Sequence, residues 1–181
     1  VMNTPMFFSR YGNTLKELEQ DDIELVRQWR NDPKIAELML DRSYITPERQ
    51  QAWFERVSQA SDEYYFLAIF KDQAIGVASL IKIERQAGHC EPGMYIYNAQ
   101  YRNNIVPFCL AFALNDLAFE TFGLTRLLGK IYSSNRASLE FHQACGYRFQ
   151  RRAEHEALEY YSLNWPDYLA ARAAITRFIR Y

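Results

Sequence analysis

The feature that most confines this chain is a long apolar helix held between two strands, downstream of a hairpin. Cys90 to Tyr97 reads as a strand. Pro107 to Phe122 then carries Leu110, Ala111, Leu114, Leu117 and Ala118 on one helical face and stops at Gly123, a good C-terminal cap. Arg126 to Tyr132 reads as a strand again. Such a strand-helix-strand unit joins strands by a crossover. The pair before it, Tyr64 to Phe70 and Ala74 to Ile83 about Lys71-Asp72-Gln73, reads as an antiparallel hairpin. A sheet that holds both is mixed, of the α/β (α+β) class, with helices on both faces.

The flanks extend this order. Leu15 to Leu18 is a short strand candidate. Asp21 and Asp22 offer an N-cap to a helix carrying Ile23, Val26 and Trp29, which should stop near Asn31-Asp32-Pro33. Thr46-Pro47-Glu48 opens a second helix with Trp53, Phe54 and Val57 on its apolar face. Arg136 to Cys145 reads as a short helix ending at Gly146. Tyr147 to Arg151 and Leu158 to Asn164 read as terminal strands, with helix from Trp165 onward. No repeat, low-complexity tract or Pro/Gly/Ser linker interrupts the 181 residues, so residues 1–181 read as one domain.

Charge narrows the partners. Twenty-one basic residues against 22 acidic ones leave a net charge of −1, which gives no electrostatic reason to expect nucleic acid or an acidic membrane. No run of about 18 apolar residues spans a bilayer, and Val1-Met2-Asn3-Thr4 lacks the basic and apolar regions of a signal peptide. Cys90, Cys109 and Cys145 are odd in number and widely spaced, as reduced thiols are. A cytoplasmic location is the expectation. No metal is expected: His142 and Cys145 share a helical face, but adjacent His89 and Cys90 point to opposite faces of a strand.

Two segments together resemble the GNAT superfamily of acyl-CoA N-acyltransferases. One is Tyr95-Ile-Tyr-Asn-Ala-Gln-Tyr-Arg-Asn-Asn-Ile-Val-Pro107 leading into Ala-Leu-Asn-Asp-Leu-Ala-Phe-Glu120. The other runs from Leu124 to Tyr147 and places Asn135, Ser138, His142 and Gly146 at the spacing of the family pattern Asn-x-x-(Ala/Ser)-x-x-x-(Tyr/His)-x-x-x-Gly-Phe. With the preceding strands the resemblance covers roughly residues 12 to 165. A shorter match, Leu25 to Ile35, Met39, Tyr44 to Gln50 and Trp53-Phe54, is similar to the amino-sugar branch, which includes the UDP-4-amino-sugar N-acetyltransferase of pseudaminic acid synthesis.

The resemblance implies a GNAT-like, mostly antiparallel sheet whose central parallel strands, here Met94 to Tyr97 and Arg126 to Tyr132, splay apart. It implies acetyl-CoA as co-substrate, its pantetheine arm paired with the edge at Tyr95, Ile96 and Tyr97. Its pyrophosphate would lie on the backbone of Arg102, Asn103, Asn104, Ile105, Val106, Pro107 and Phe108, where helix amides and dipole favour an anion. The two family glycines fall on Ile105 and Pro107, and Pro107 donates no N–H. Asn103 and Asn104 tolerate left-handed backbone in their place.

His142 stands where the family carries a tyrosine, or sometimes His, that protonates the departing thiolate; packing between Leu139 and Cys145 also explains it. Glu91 stands where relatives place a carboxylate that draws the amine's proton through water, and a solvated charge beside Pro92-Gly93 explains it equally. Asn135 and Ser138 match positions that contact pantetheine or cap the helix. Arg30, Asn31 and Tyr44 lie in the loop that walls the acceptor in relatives, where Arg30 can pair with a diphosphate.

The function so implied is acetyl transfer to a small-molecule primary amine, foremost that of a nucleotide-linked amino sugar. A protein N-terminus or a simple amine is the next acceptor. A non-catalytic GNAT-like binding module with a degenerate CoA loop is the reading from another class. A homodimer is expected from the family alone.

Overall fold

A computed structural model describes residues 4–181; Val1, Met2 and Asn3, read above with the N-terminus, lie outside the described residues. One eight-stranded sheet runs in the order β1-β2-β3-β4-β5-β6-β8-β7. Two strands open it, β1 (Phe7–Arg10) and β2 (Asn13–Glu17), joined at Tyr11 and Gly12, both at positive φ as a tight hairpin turn requires. Pattern alone finds one strand here, starting at Leu15. β1 escapes it because an edge strand that buries little carries no apolar alternation.

The helices α1 (Ile23–Asn31) and α3 (Pro47–Gln59) follow, with the short α2 (Pro33–Ala36) between them. Asp22 stands before α1, but its carboxylate accepts from the Glu19 N–H (2.9 Å), bracing the preceding 3-10 turn instead of capping forward. Asp32 and Thr46 do cap, accepting from the Lys34 and Arg49 amides at 3.0 and 3.1 Å. Then come β3 (Tyr64–Phe70), β4 (Gln73–Glu84) and β5 (His89–Ile96). The helix α4 (Val106–Asp116) passes into a π-helical turn, Leu117–Thr121, before Gly123 at φ +67. The remainder is β6 (Arg126–Tyr132), α5 (Arg136–Ala144), β7 (Arg148–Arg152), β8 (Leu158–Asn164) and α6 (Trp165–Thr176).

Apolar side chains bury on both faces. On one, Leu67 and Val77 pack with Val26 and Trp29 of α1 and Trp53 of α3. On the other, Phe66, Leu80, Cys90 and Leu127 pack under α4 and α6.

The sheet is antiparallel except between β5 and β6, which pair in parallel at only two rungs, His89↔Arg126 and Cys90↔Leu127. The reason can be read from hydrogen-bond parity. Tyr97 N–H donates to the Ile75 carbonyl at 2.7 Å. With the register Val77↔Tyr95 and Ser79↔Gly93, odd residues of β5 therefore bond to β4 and even ones face β6. After Cys90 the next even residue is Pro92, which has no N–H to donate. The rung fails there, the strands part, and Met94 and Ile96 present unpaired backbone to the gap. Amide exchange checks this: in the free protein Met94 and Ile96 should exchange well ahead of Gly93 and Tyr95, and acetyl-CoA should slow that even pair selectively. Equal protection of all four, with or without acetyl-CoA, would show the gap to be closed.

Candidate active site

A cavity of about 540 Å³ lies in the gap, bounded by Pro92 to Met94 of β5, Leu128 to Lys130 of β6, Ala111 to Asn115 of α4, and α5. The parity just described revises the edge expected at Tyr95, Ile96 and Tyr97. Only Ile96 faces the gap; the Tyr95 and Tyr97 backbones are turned to β4, and Met94 takes their place. An alternation of backbone direction is invisible until the neighbouring strand is known.

At the upper end, Arg102 does not reach outward. Its guanidinium donates to the Ile96 and Tyr97 carbonyls at 2.8 and 3.1 Å and so ties the loop to the end of β5. Asn104 accepts from the Val106 N–H at 2.9 Å and donates to the Gln100 carbonyl at 3.1 Å. Among the described residues the amides of Asn103, Asn104, Ile105 and Phe108 keep no protein acceptor. The loop thus lacks glycine yet offers several free N–H groups at the start of an 11-residue helix, a donor set that suits a pyrophosphate. The Phe108 ring meets Phe141 of α5 at 4.7 Å, joining the two helices across the cleft.

His142 lies on α5 at the cavity wall. Its Nδ1 is 2.7 Å from the Ser138 carbonyl, which can only accept, so Nδ1 carries the proton and Nε2 keeps a lone pair. Burial lowers the His142 pKa below the ordinary imidazole value, against the opposing pull of that carbonyl. Asn135 accepts from the Ser138 N–H at 3.1 Å, which makes it the N-cap of α5. Tyr147 and Asn115, both nearly buried, also line the cavity; the helical and strand patterns marked them only as core.

Glu91, the first residue past the last paired rung, forms ion pairs with Lys130 of β6 (3.0 Å) and Lys82 of β4 (3.4 Å). Its carboxylate therefore bridges the mouth of the gap. A second cavity, of about 590 Å³, shares Lys82, Glu91 and Lys130 with the first and extends across β6 toward β7 and β8. Arg126, Arg151 and Tyr160 line it, with the Arg151 guanidinium 4.1 Å from the Tyr160 ring centroid.

The α1–α3 loop residues divide. Asn31 is clamped to the Ile45 backbone by two hydrogen bonds, 2.8 and 2.9 Å, and shapes the loop. Tyr44 is exposed, its hydroxyl accepting from Arg27 at 3.1 Å. Arg30 is half-buried with an unpartnered Nε, and Tyr95 carries a buried, unpartnered hydroxyl. Among the described residues no group of His, Cys, Asp or Glu is placed to hold a metal ion, and no helix is long and apolar enough to cross a membrane.

Comparison with known proteins gives the same outline. The family model described as acetyltransferase (GNAT) domain matches residues 14–148. Acetyltransferase PseH of Campylobacter jejuni is 31% identical over 127 residues, 70% of this chain and 77% of that protein. The crystal structure of Campylobacter jejuni PseH with acetyl coenzyme A superposes with a TM-score of 0.63 at 21% identity, covering 89% of this chain and 99% of that one. Apo FdhC, a nucleotide-linked sugar GNAT, reaches 0.78 at 20% identity over 98% of this chain and 100% of its own. Spermidine N-acetyltransferase of Vibrio cholerae with CoA and spermine reaches 0.78 at 15% identity, covering 87% and 98%.

A buried neutral imidazole leaves a thermodynamic mark. The folded His142 pKa is below the unfolded one, so the unfolded chain takes up the proton first as pH falls. The contribution to stability is whole above the unfolded value of about 6.5. It is lost as pH drops through the lower folded value. Denaturation of the parent and of His142→Phe at about pH 7.5 and about pH 5.5 should show the larger loss in the parent. An equal loss would mean that His142 is not held neutral by the fold.

Proposed function

The chain belongs to the GNAT acetyltransferase family and is an acetyl-CoA-dependent N-acetyltransferase, and from that premise we propose that its acceptor is the primary amine of a nucleotide-linked amino sugar. The observation that carries this is the charge around the acceptor side of the gap. Lys82, Lys130, Arg126 and Arg151 line the second cavity, against Glu84 and Glu91. Such a wall attracts a diphosphate and repels a polycation such as spermidine. The Arg151 guanidinium, laid over the Tyr160 ring, offers a flat cation on which a base can stack. The resemblance of Leu25 to Ile35 and Tyr44 to Gln50 to the amino-sugar branch supports the same acceptor class, and the 31% identity with a PseH acetyltransferase agrees with that resemblance.

The chain's own groups have distinct tasks. Met94 and Ile96 offer backbone to the pantetheine arm, and the free amides from Asn103 to Phe108 take the pyrophosphate, so the thioester is held toward the narrow end of the gap, beside Glu91. Lys82 and Lys130 steer the acceptor's phosphates. Glu91, held between the two lysines, draws off the ammonium's proton through water, so that the acceptor attacks as a free amine. His142 departs from the acid role suggested by its position. With Nδ1–H spent on Ser138, its Nε2 receives a proton first and returns it to the sulfur afterwards.

Thiol release on a panel of UDP- and dTDP-linked amino sugars, spermidine and short peptides tests the acceptor. We expect sugar nucleotides to be preferred at least tenfold in kcat/KM, roughly 1.4 kcal/mol. Release with peptides or spermidine and none with sugar nucleotides overturns the assignment. His142→Phe should lower kcat by about 10²-fold and leave acetyl-CoA binding nearly unchanged; an unchanged kcat would remove His142 from the reaction.

A further inference from the structure

The floor of the gap holds a hydroxyl that nothing above employs. Tyr147 follows Gly146, where the family pattern ends in Gly-Phe, so this chain carries one oxygen more than that pattern requires. The residue is only 7% exposed, yet it lines the cavity with His142 and Gly129. Its ring stands edge-on to the His142 ring, centroids 5.0 Å apart. Gly129 leaves it uncovered from β6: a Cβ there would sit 3.5 Å from both the Tyr147 ring and the His142 ring. No hydrogen bond from the Tyr147 hydroxyl to another described residue forms, and the hydroxyl is not among the atoms sealed from solvent.

By contrast, the unpartnered Tyr95 hydroxyl and Arg30 Nε are sealed, and no ligand reaches them in this conformation. A buried phenol with no protein acceptor, unsealed and on a residue that lines a cavity, is a donor prepared for whatever enters. Burial pushes its pKa well above the ordinary value, and its titratable neighbours are the Cys145 and Cys90 thiols. Cys90 is the last paired residue before the gap, which locates the phenol at the apex of the splay.

We propose that Tyr147 is a further catalytic residue, whose hydroxyl donates a hydrogen bond to the thioester sulfur as the C–S bond breaks. This rests on the acetyl-transfer reading of the same cleft. In the step, the acceptor nitrogen, already a free amine, bonds to the acetyl carbon and the C–S electron pair departs on sulfur. The nitrogen's proton goes to His142 Nε2 and from there to the sulfur. Tyr147 stays a phenol throughout; it stabilises the charge developing on sulfur and gives up no proton. It thereby offers sulfur a donor before His142 has taken up a proton to give.

Tyr147→Phe keeps the ring and removes the donor. With parent-like circular dichroism, we expect kcat to fall by about 10²-fold with acetyl-CoA binding within twofold. A second readout needs no acceptor. The thiol of bound CoA, followed by thiolate absorbance, should titrate about one pH unit higher in Tyr147→Phe than in the parent, a tenfold loss in thiolate affinity. Packing alone does not move that titration. A kcat within twofold of the parent, or an unmoved thiol titration, overturns the proposal. A parent that releases no thiol with any amine would instead be a failure of the acetyl-transfer reading.

Discussion

A single absent hydrogen bond organises this molecule. Pro92 occupies the one position on β5 whose N–H would have continued the ladder to β6, and the parallel pairing stops at Cys90↔Leu127. Without that proline the gap between β5 and β6 has no evident cause, since both strands run on for several residues. Everything chemical follows from the opening: free backbone on Met94 and Ile96, a cavity under α4 and α5, and Glu91 stationed at the mouth. The bulge in β4 between Ile81 and Glu84, with Lys82 at φ +51, turns that lysine toward the same mouth, where it meets Glu91.

A sheet opened at its centre needs bracing elsewhere, and the brace is a buried carboxylate. Asp116 on α4 is fully buried. It accepts from Tyr168 (2.5 Å) and Arg172 (2.7 Å) of α6, and from Tyr11 (2.6 Å) and Arg10 (3.2 Å) of the first hairpin. A charge taken out of water destabilises unless its acceptor sites are filled, and here both ends of the chain converge to fill them. Arg10 and Arg172 also reach Glu120, one turn further along. The network therefore fixes α4 against the sheet, and with it the free amides at the start of that helix.

Most of the fold is legible in the chain because its elements carry strong local signals. The apolar stripe of α4, the capping residues Thr46 and Asn135 and the left-handed glycines 123 and 146 mark boundaries close to those observed. What pattern does not reach is relational. β1 shows no alternation because it buries little. The edge that faces the gap is set by β4, which decides that Tyr95 turns inward and Met94 outward. Arg102 and Asn31 look like ligand-binding groups by type and position, yet the loop geometry spends them on carbonyls of their own chain. Tyr147 reads as core, and only the cavity beside its ring, which no side chain on Gly129 covers, shows that it borders the cleft.

The two faces of the gap differ in a way that suits a transfer between unlike partners. On the α4 side the walls are apolar, and the ionisable groups, His142 and Tyr147, are held neutral by burial. On the other side Lys82, Lys130, Arg126 and Arg151 stand near water with Glu91 between two of them. A thioester carries no charge and enters the first at far lower desolvation cost than an ion; a diphosphate is drawn to the second. Charge appears on the apolar side only when the thiolate departs. A neutral donor waiting there interacts weakly with the uncharged thioester and strongly with the anion. That difference between ground and transition state is what accelerates a reaction, and fixed cations on the same wall would not supply it selectively, since they would also bind other anions at rest.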